Sequence, residues 1–180
     1  MILDDRPHKV PGFFARRRLR KAVRLFQQVI ELNPTNWQSM VGAGKVFQSL
    51  GKLDHALTWF LRAHDCVPTH PAVALEVGYA AGRLGRHDIA VRVMQAANKE
   101  HPEDAALCLN LGLSQLMSAR PADASETFAR AVELEPQRDM NRRLLDLARE
   151  VVAGNLACPK NEAEISAAMA PPASDTRPRL

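Results

Sequence analysis

A chain of 180 residues, 46% of them hydrophobic, 5% aromatic and 24% charged, suits one packed domain with tails. Its apolar residues form no run long enough to cross a bilayer, and Met1 to Lys21 lacks the apolar core and small-residue cleavage site of a secretory leader. The net charge of +4 is uneven: the first 30 residues hold eight Lys/Arg and two Asp, and the other 150 sum to −2. Three scattered cysteines, Cys66, Cys108 and Cys158, match no metal or redox spacing, so a reducing, cytoplasmic setting is expected.

Residues 1–12 contain Pro7, Pro11 and Gly12, which argue against a helix, and read as an N-terminal extension. Phe13 to Leu32 reads as one long helix with the stripe Ala15, Leu19, Ala22, Phe26 and Val29. It carries a basic patch, Arg16, Arg17, Arg18, Arg20 and Lys21. Such a run attracts an acidic partner, nucleic acid or an anionic membrane; a solvated outer face is the plainer alternative. Leu25, Leu32 and the Phe13-Phe14 pair stand outside the stripe. A homodimer through this first helix, or docking on a larger partner, is expected to cover them.

From here the chain keeps a 34-residue beat. Pro34, Pro68, Pro102 and Pro136 stand at equal intervals, as do Ala22, Ala56, Ala90 and Ala124. Gly44, Gly78 and Gly112 share the period, and so do Phe26, Phe60, Met94 and Phe128. Small, large and helix-stopping positions at one period mean stacked helical hairpins. In residues 37–70 the first helix carries Met40, Ala43, Gly44 and Phe47 on one face. Gly51 turns the chain, Ala56, Phe60 and Ala63 line the second helix, and Pro68 ends it. Residues 71–104 and 105–138 repeat this, with turns at Gly85 and Ala119 and with Pro121 opening the last second helix. Cys108 takes the place of Met40 and Ala74, so it reads as a packed core residue.

Both ends break the beat. Residues 13–36 are a half-unit that lacks its first helix. Residues 139–153 restart the first-helix pattern with Leu145 and Ala148, put Asp146 where glycine belongs, and read as a polar capping helix. Residues 154–180 hold four prolines after Cys158 and read as a disordered tail. The expected fold is all-α, a right-handed superhelical solenoid over residues 13–153. It comprises three full units, the half-unit and the cap, because a lone hairpin cannot bury both its sides.

The pattern resembles the tetratricopeptide repeat. The family's Gly in the first helix matches Gly44, Gly78 and Gly112, and its early alanine in the second helix matches Ala56, Ala90 and Ala124. Its aromatic four residues later matches Phe60 and Phe128, with Met94 a milder substitute, and its closing proline matches Pro68, Pro102 and Pro136. The usual tryptophan is replaced by Met40, Ala74 and Cys108, and the usual tyrosine by Phe47, Ala81 and Gln115. The resemblance implies an interaction module.

No catalytic or metal motif appears among the six histidines or elsewhere, and the Gly42/Gly44 pair reads as helix packing. Neither enzyme activity, cofactor nor metal is expected. The faces one residue beyond the packing positions point into a concave groove. There the candidate binding residues are Lys45 and Gln48, then Leu75, Tyr79 and Arg83, then Leu109, Leu113, Leu116 and Met117, and finally Leu147 on the cap. The groove reads as polar at one end and apolar beyond. A peptide or amphipathic helix of a partner protein is the expected occupant. Two plainer fates for its leucines stay open: packing on neighbouring first helices, or cover by the chain's own tail. Lys45, Asn110 and Arg143 amid leucines do not make a carboxylate clamp. Alternative functions are a secretion-type chaperone for an apolar exported segment, nucleic-acid or membrane binding through the basic helix, and the repeat arm of an enzyme complex.

Overall fold

The computed structural model describes residues 12–170, apart from the Phe13 side chain; residues 1–11 of the N-terminal extension and 171–180 of the tail lie outside the described residues. Those described form nine helices and no strand. They are α1 (Phe13–Leu32), α2 (Trp37–Ser49), α3 (Leu53–Cys66), α4 (Pro71–Arg83), α5 (His87–Glu100), α6 (Ala105–Met117), α7 (Pro121–Leu134), α8 (Asp139–Val152) and α9 (Glu162–Ala168). The pairs α2–α3, α4–α5 and α6–α7 pack as hairpins. Contacts α1–α2, α3–α4, α5–α6 and α7–α8 stack one unit on the next, and α2, α4 and α6 also meet along one side. The array is a helix–turn–helix repeat solenoid.

Each hairpin turns by the same device. Gly51 and Gly85 take φ of 72° and 69°, left-handed values that glycine adopts without a Cβ clash. The backbone N–H of Lys52 then reaches Phe47 O at 2.9 Å, and that of Arg86 reaches Ala81 O at 2.8 Å, closing the helix ends. In the third unit Ala119 adopts φ 56° and the same closure forms from Arg120 N–H to Gln115 O at 2.9 Å. The repeat geometry therefore imposes a conformation that alanine tolerates poorly. Between units, Asn36 and Asp104 cap α2 and α6 by accepting from Ser39 N–H at 2.8 Å and Leu107 N–H at 3.0 Å.

The core follows the small and large positions of the beat. A Cβ added at Gly44 or Gly112 would lie 2.4 or 2.6 Å from the ring of Phe60 or Phe128, and one at Gly78 would lie 2.7 Å from the Met94 sulfur. Each glycine thus admits the large side chain of its own hairpin. Gly42 admits Phe26 from α1 in the same way, so the Gly42/Gly44 pair is a packing feature. Cys108 is fully buried, and burial pushes its thiol pKa up.

The half-unit departs from the stripe read for it. Ala63, Ala97 and Ala131 are fully buried, yet their counterpart Val29 is 39% exposed and Ala15 is exposed. The face of α1 turned inward runs instead through Leu19, Ala22, Val23, Phe26 and Ile30, with Ile30 buried. Val29 occupies the position that packs against a unit's own first helix, and no such helix precedes α1 among the described residues.

The histidines mostly serve packing. His70 lies against Trp37 and His55 stacks on Phe47. Burial lowers the pKa of His64 and His87, against the opposing pull of Asp65 and Asp88, while Arg92 adds to the lowering at His64. Their Nδ1 atoms are buried without a hydrogen-bond partner. Both would titrate at the ordinary 6.5 in the unfolded chain, so below that pH the unfolded state binds more protons. The melting temperature is therefore expected to fall as pH drops from about 7 to about 5.5, and His64→Gln with His87→Gln to flatten that slope. An unchanged slope in the double variant would exclude these histidines as its source.

Candidate functional site: the concave wall

The wall formed by α2, α4 and α6, continued by α8, divides into two halves. The half on α2 and α4 is the more polar one. Lys45 is exposed and pairs with Glu76 of α4 at 2.8 Å, tying the two helices together. Arg83 donates to the Tyr79 hydroxyl at 3.3 Å, one helical turn away, with its guanidinium 5.9 Å from the ring centre. Gln48, Leu75 and Tyr79 are half-buried, and Arg83 is exposed. Leu75 packs against the central core.

The half on α6 and α8 is apolar and occupied. Lys45, Tyr79 and Leu113 hold one position of the beat, as do Gln48, Gly82 and Leu116. Only the third-unit members are fully withdrawn from solvent, Leu113 at 2% exposure and Leu116 at 0%. Leu109 and Leu147 are buried beside them, and Met117 is half-buried. Ile165 of α9 sits fully buried in this same cluster, with Cys158 and Met169 packed against it.

This corrects the reading of a disordered tail over residues 154–170, and of the two plainer fates for the third-unit leucines it is cover by the chain's own tail that the described residues show. Gly154 takes φ 78° at the end of α8 and lets the chain double back. Cys158 Sγ donates to Leu116 O on α6 at 3.0 Å, Pro159 is buried, and Arg143 of α8 donates to Met169 O. Asn161 caps α9 by accepting from Glu164 N–H at 2.9 Å, and Glu164 accepts in return from Asn161 Nδ2 at 2.8 Å. An asparagine followed three residues later by glutamate and then an apolar residue is a helix-start signal. The run Asn161-Glu162-Ala163-Glu164-Ile165 carries that signal in the sequence.

Elsewhere, Arg16, Arg17, Arg18, Arg20 and Lys21 are all exposed on α1. Arg16, Arg20 and Arg24 share a cavity of about 340 Å³ with Lys52, Phe47 and Leu50 of the neighbouring turn. Among the described residues, no three His, Cys, Asp or Glu side chains gather as metal ligands. No described helix is long and apolar enough to cross a membrane.

A stack of helical hairpins, with the first helices of successive units meeting along one side, defines the class. Residues 9–71 and 75–150 match the tetratricopeptide repeat family, and the chain belongs to it. BBSome complex member BBS4 of Bos taurus is 26% identical over 128 residues, 71% of this chain and 25% of that protein. The chain therefore spans about a quarter of that relative's length. The crystal structure of MamA superposes with a TM-score of 0.68 at 16% identity, over 88% of this chain and 91% of that one. YrrB, a TPR protein with an unusual peptide-binding site, gives 0.68 at 16% identity over 85% of this chain and 77% of that one. At such identities these structural likenesses show the fold alone.

Proposed function

We propose that this chain is a non-catalytic interaction module that holds a short segment of a partner protein along its concave wall. The observation that carries the reading is a short helix seated on the wall: Ile165 is 0% exposed in the cluster of Leu109, Leu113, Leu116 and Leu147. A wall that seats one short helix has the shape and apolar lining to seat another. YrrB, of the same fold, has a peptide-binding site. The more polar half supplies what fixes register and specificity, namely the Lys45–Glu76 pair and the Tyr79–Arg83 pair beside Leu75.

Tyr79 and Arg83 are the residue types that anchor interfaces when desolvated. In the free chain Arg83 donates to the Tyr79 hydroxyl, and neither residue is buried in the core. Tyr79→Ala with Arg83→Ala is expected to lower capture of bound proteins from native lysate by about tenfold or more. The melting temperature should stay near that of the wild type. Proteins retained equally by the double variant would remove the concave wall as the binding surface.

A further inference from the structure

We propose that residues 155–170 are an exchangeable, built-in occupant of the groove. The partner that replaces them is a short amphipathic helix with one branched apolar side chain in the place of Ile165 and its C-terminal end at Arg143. The proposal rests on the interaction reading above and names both the partner chemistry and the gate.

Three features set this segment apart from the array. First, α9 has seven residues, too few for a helix to persist in water alone, so its helicity depends on docking. Second, the helix itself buries little. Within α9 only Ile165 is buried, while Ala163, Glu164, Ser166, Ala167 and Ala168 all face solvent. Segments with few buried contacts open locally without global unfolding. Third, the contacts suit a ligand as well as a core element. Cys158 donates to a backbone carbonyl of α6, and Arg143 caps the carbonyl end of α9, where a cation meets the negative end of the helix dipole. These contacts set the direction in which a helix lies.

The same features describe the incoming chain. Undocking α9 uncovers Leu109, Leu113, Leu116 and Leu147 together, an apolar patch that demands an apolar anchor. The flanking α9 residues face solvent, so the replacing helix needs only its anchor to be apolar. The hinge is at hand, because Gly154 already holds a left-handed φ between α8 and the returning segment.

The test uses the full chain and a labelled synthetic peptide of residues 155–170 carrying Cys158→Ser, followed by fluorescence anisotropy. In wild type the tethered segment competes from an effective concentration on the order of mM, so micromolar peptide binds poorly. Ile165→Asp vacates the groove, and the peptide is expected to bind this variant at least about tenfold more tightly. A peptide that itself carries Ile165→Asp should not bind. Equal binding to both chains, or binding to neither, overturns the proposal.

Ile165→Ala gives a milder second variant, read by alkylation of the native thiols. Cys158 is expected to react about tenfold faster or more than in wild type, while Cys108 stays protected in the core. Joint loss of protection at both thiols would make α9 part of the cooperative core and overturn the proposal. A concentration-dependent dimer with Cys158 still protected would name a second copy as the occupant, and would overturn it too. The two readings fail separately. Peptide exchange without any effect of the Tyr79 and Arg83 substitutions on capture supports the exchangeable occupant and removes the interaction reading of the more polar half. The converse result removes the exchangeable occupant alone.

Discussion

Phe128→Ala is expected to lower the unfolding free energy by about 3–5 kcal/mol, the range for emptying a fully buried aromatic site. Phe128 is 0% exposed and belongs to the cluster of Leu144, Leu145 and Ala148 on α8. Its ring also fills the space over Gly112 on α6, where a Cβ would come within 2.6 Å. One side chain thus joins three helices, and neither α6 nor α8 can collapse into the void without breaking its other contacts. In a repeat array stability is close to a sum of unit and neighbour terms, so the loss should be local. Amide exchange should quicken over α6 to α9 while α2 and α3 hold. Phe26→Ala at the equivalent position of the half-unit should cost less, since Phe26 is only half-buried. Urea unfolding of both variants checks this ordering, and equal losses would refute the packing account.

Gly44→Ala and Gly112→Ala are expected to destabilise by about 1–3 kcal/mol, the usual range for overfilling a packed contact. Placing alanine in a helix interior gains about 1 kcal/mol over glycine, so the sign depends on whether the neighbour yields. At Gly44 and Gly112 the neighbour is a buried phenyl ring, at 2.4 and 2.6 Å from the new Cβ, and a ring in a packed core has nowhere to turn. At Gly78 the neighbour is the Met94 thioether, whose sulfur and methyl lie 2.7 and 2.9 Å away and can rotate aside. Gly78→Ala should therefore come out smaller than the other two. Gly82, in the same helix as Gly78, meets nothing within 4 Å, and Gly82→Ala should stabilise by about 1 kcal/mol. Thermal melts of the four variants give this ranking directly. A destabilised Gly82→Ala would show that the clash at the other sites is not the cause.

Much of this was legible in the residues. The 34-residue beat marks which positions are small, large or helix-stopping, and a hairpin array follows from that because each choice is local. Gly51 and Gly85 announce their turns for the same reason: the φ they adopt is one that other residues resist. Val29 is a different case. It shares its register with Ala63, Ala97 and Ala131, but burial at that position needs a first helix from the same unit, so register alone misplaces it.

The groove shows the division most sharply. That Leu109, Leu113, Leu116 and Leu147 share one wall was readable from spacing, since helix geometry converts sequence offset into a face. Whether that wall meets water was not, because cover comes from outside the repeats, through Cys158 on Leu116, 42 positions away, and Ile165 among the leucines. The sequence by itself determined the repeats, their turns and the chemistry of each face, all of which depend on neighbours within a turn or a period. Only the tertiary structure decided that the apolar half of the wall is filled by α9. A seven-residue helix is too short to declare itself by periodicity, and its docking depends on a surface assembled from α6 and α8.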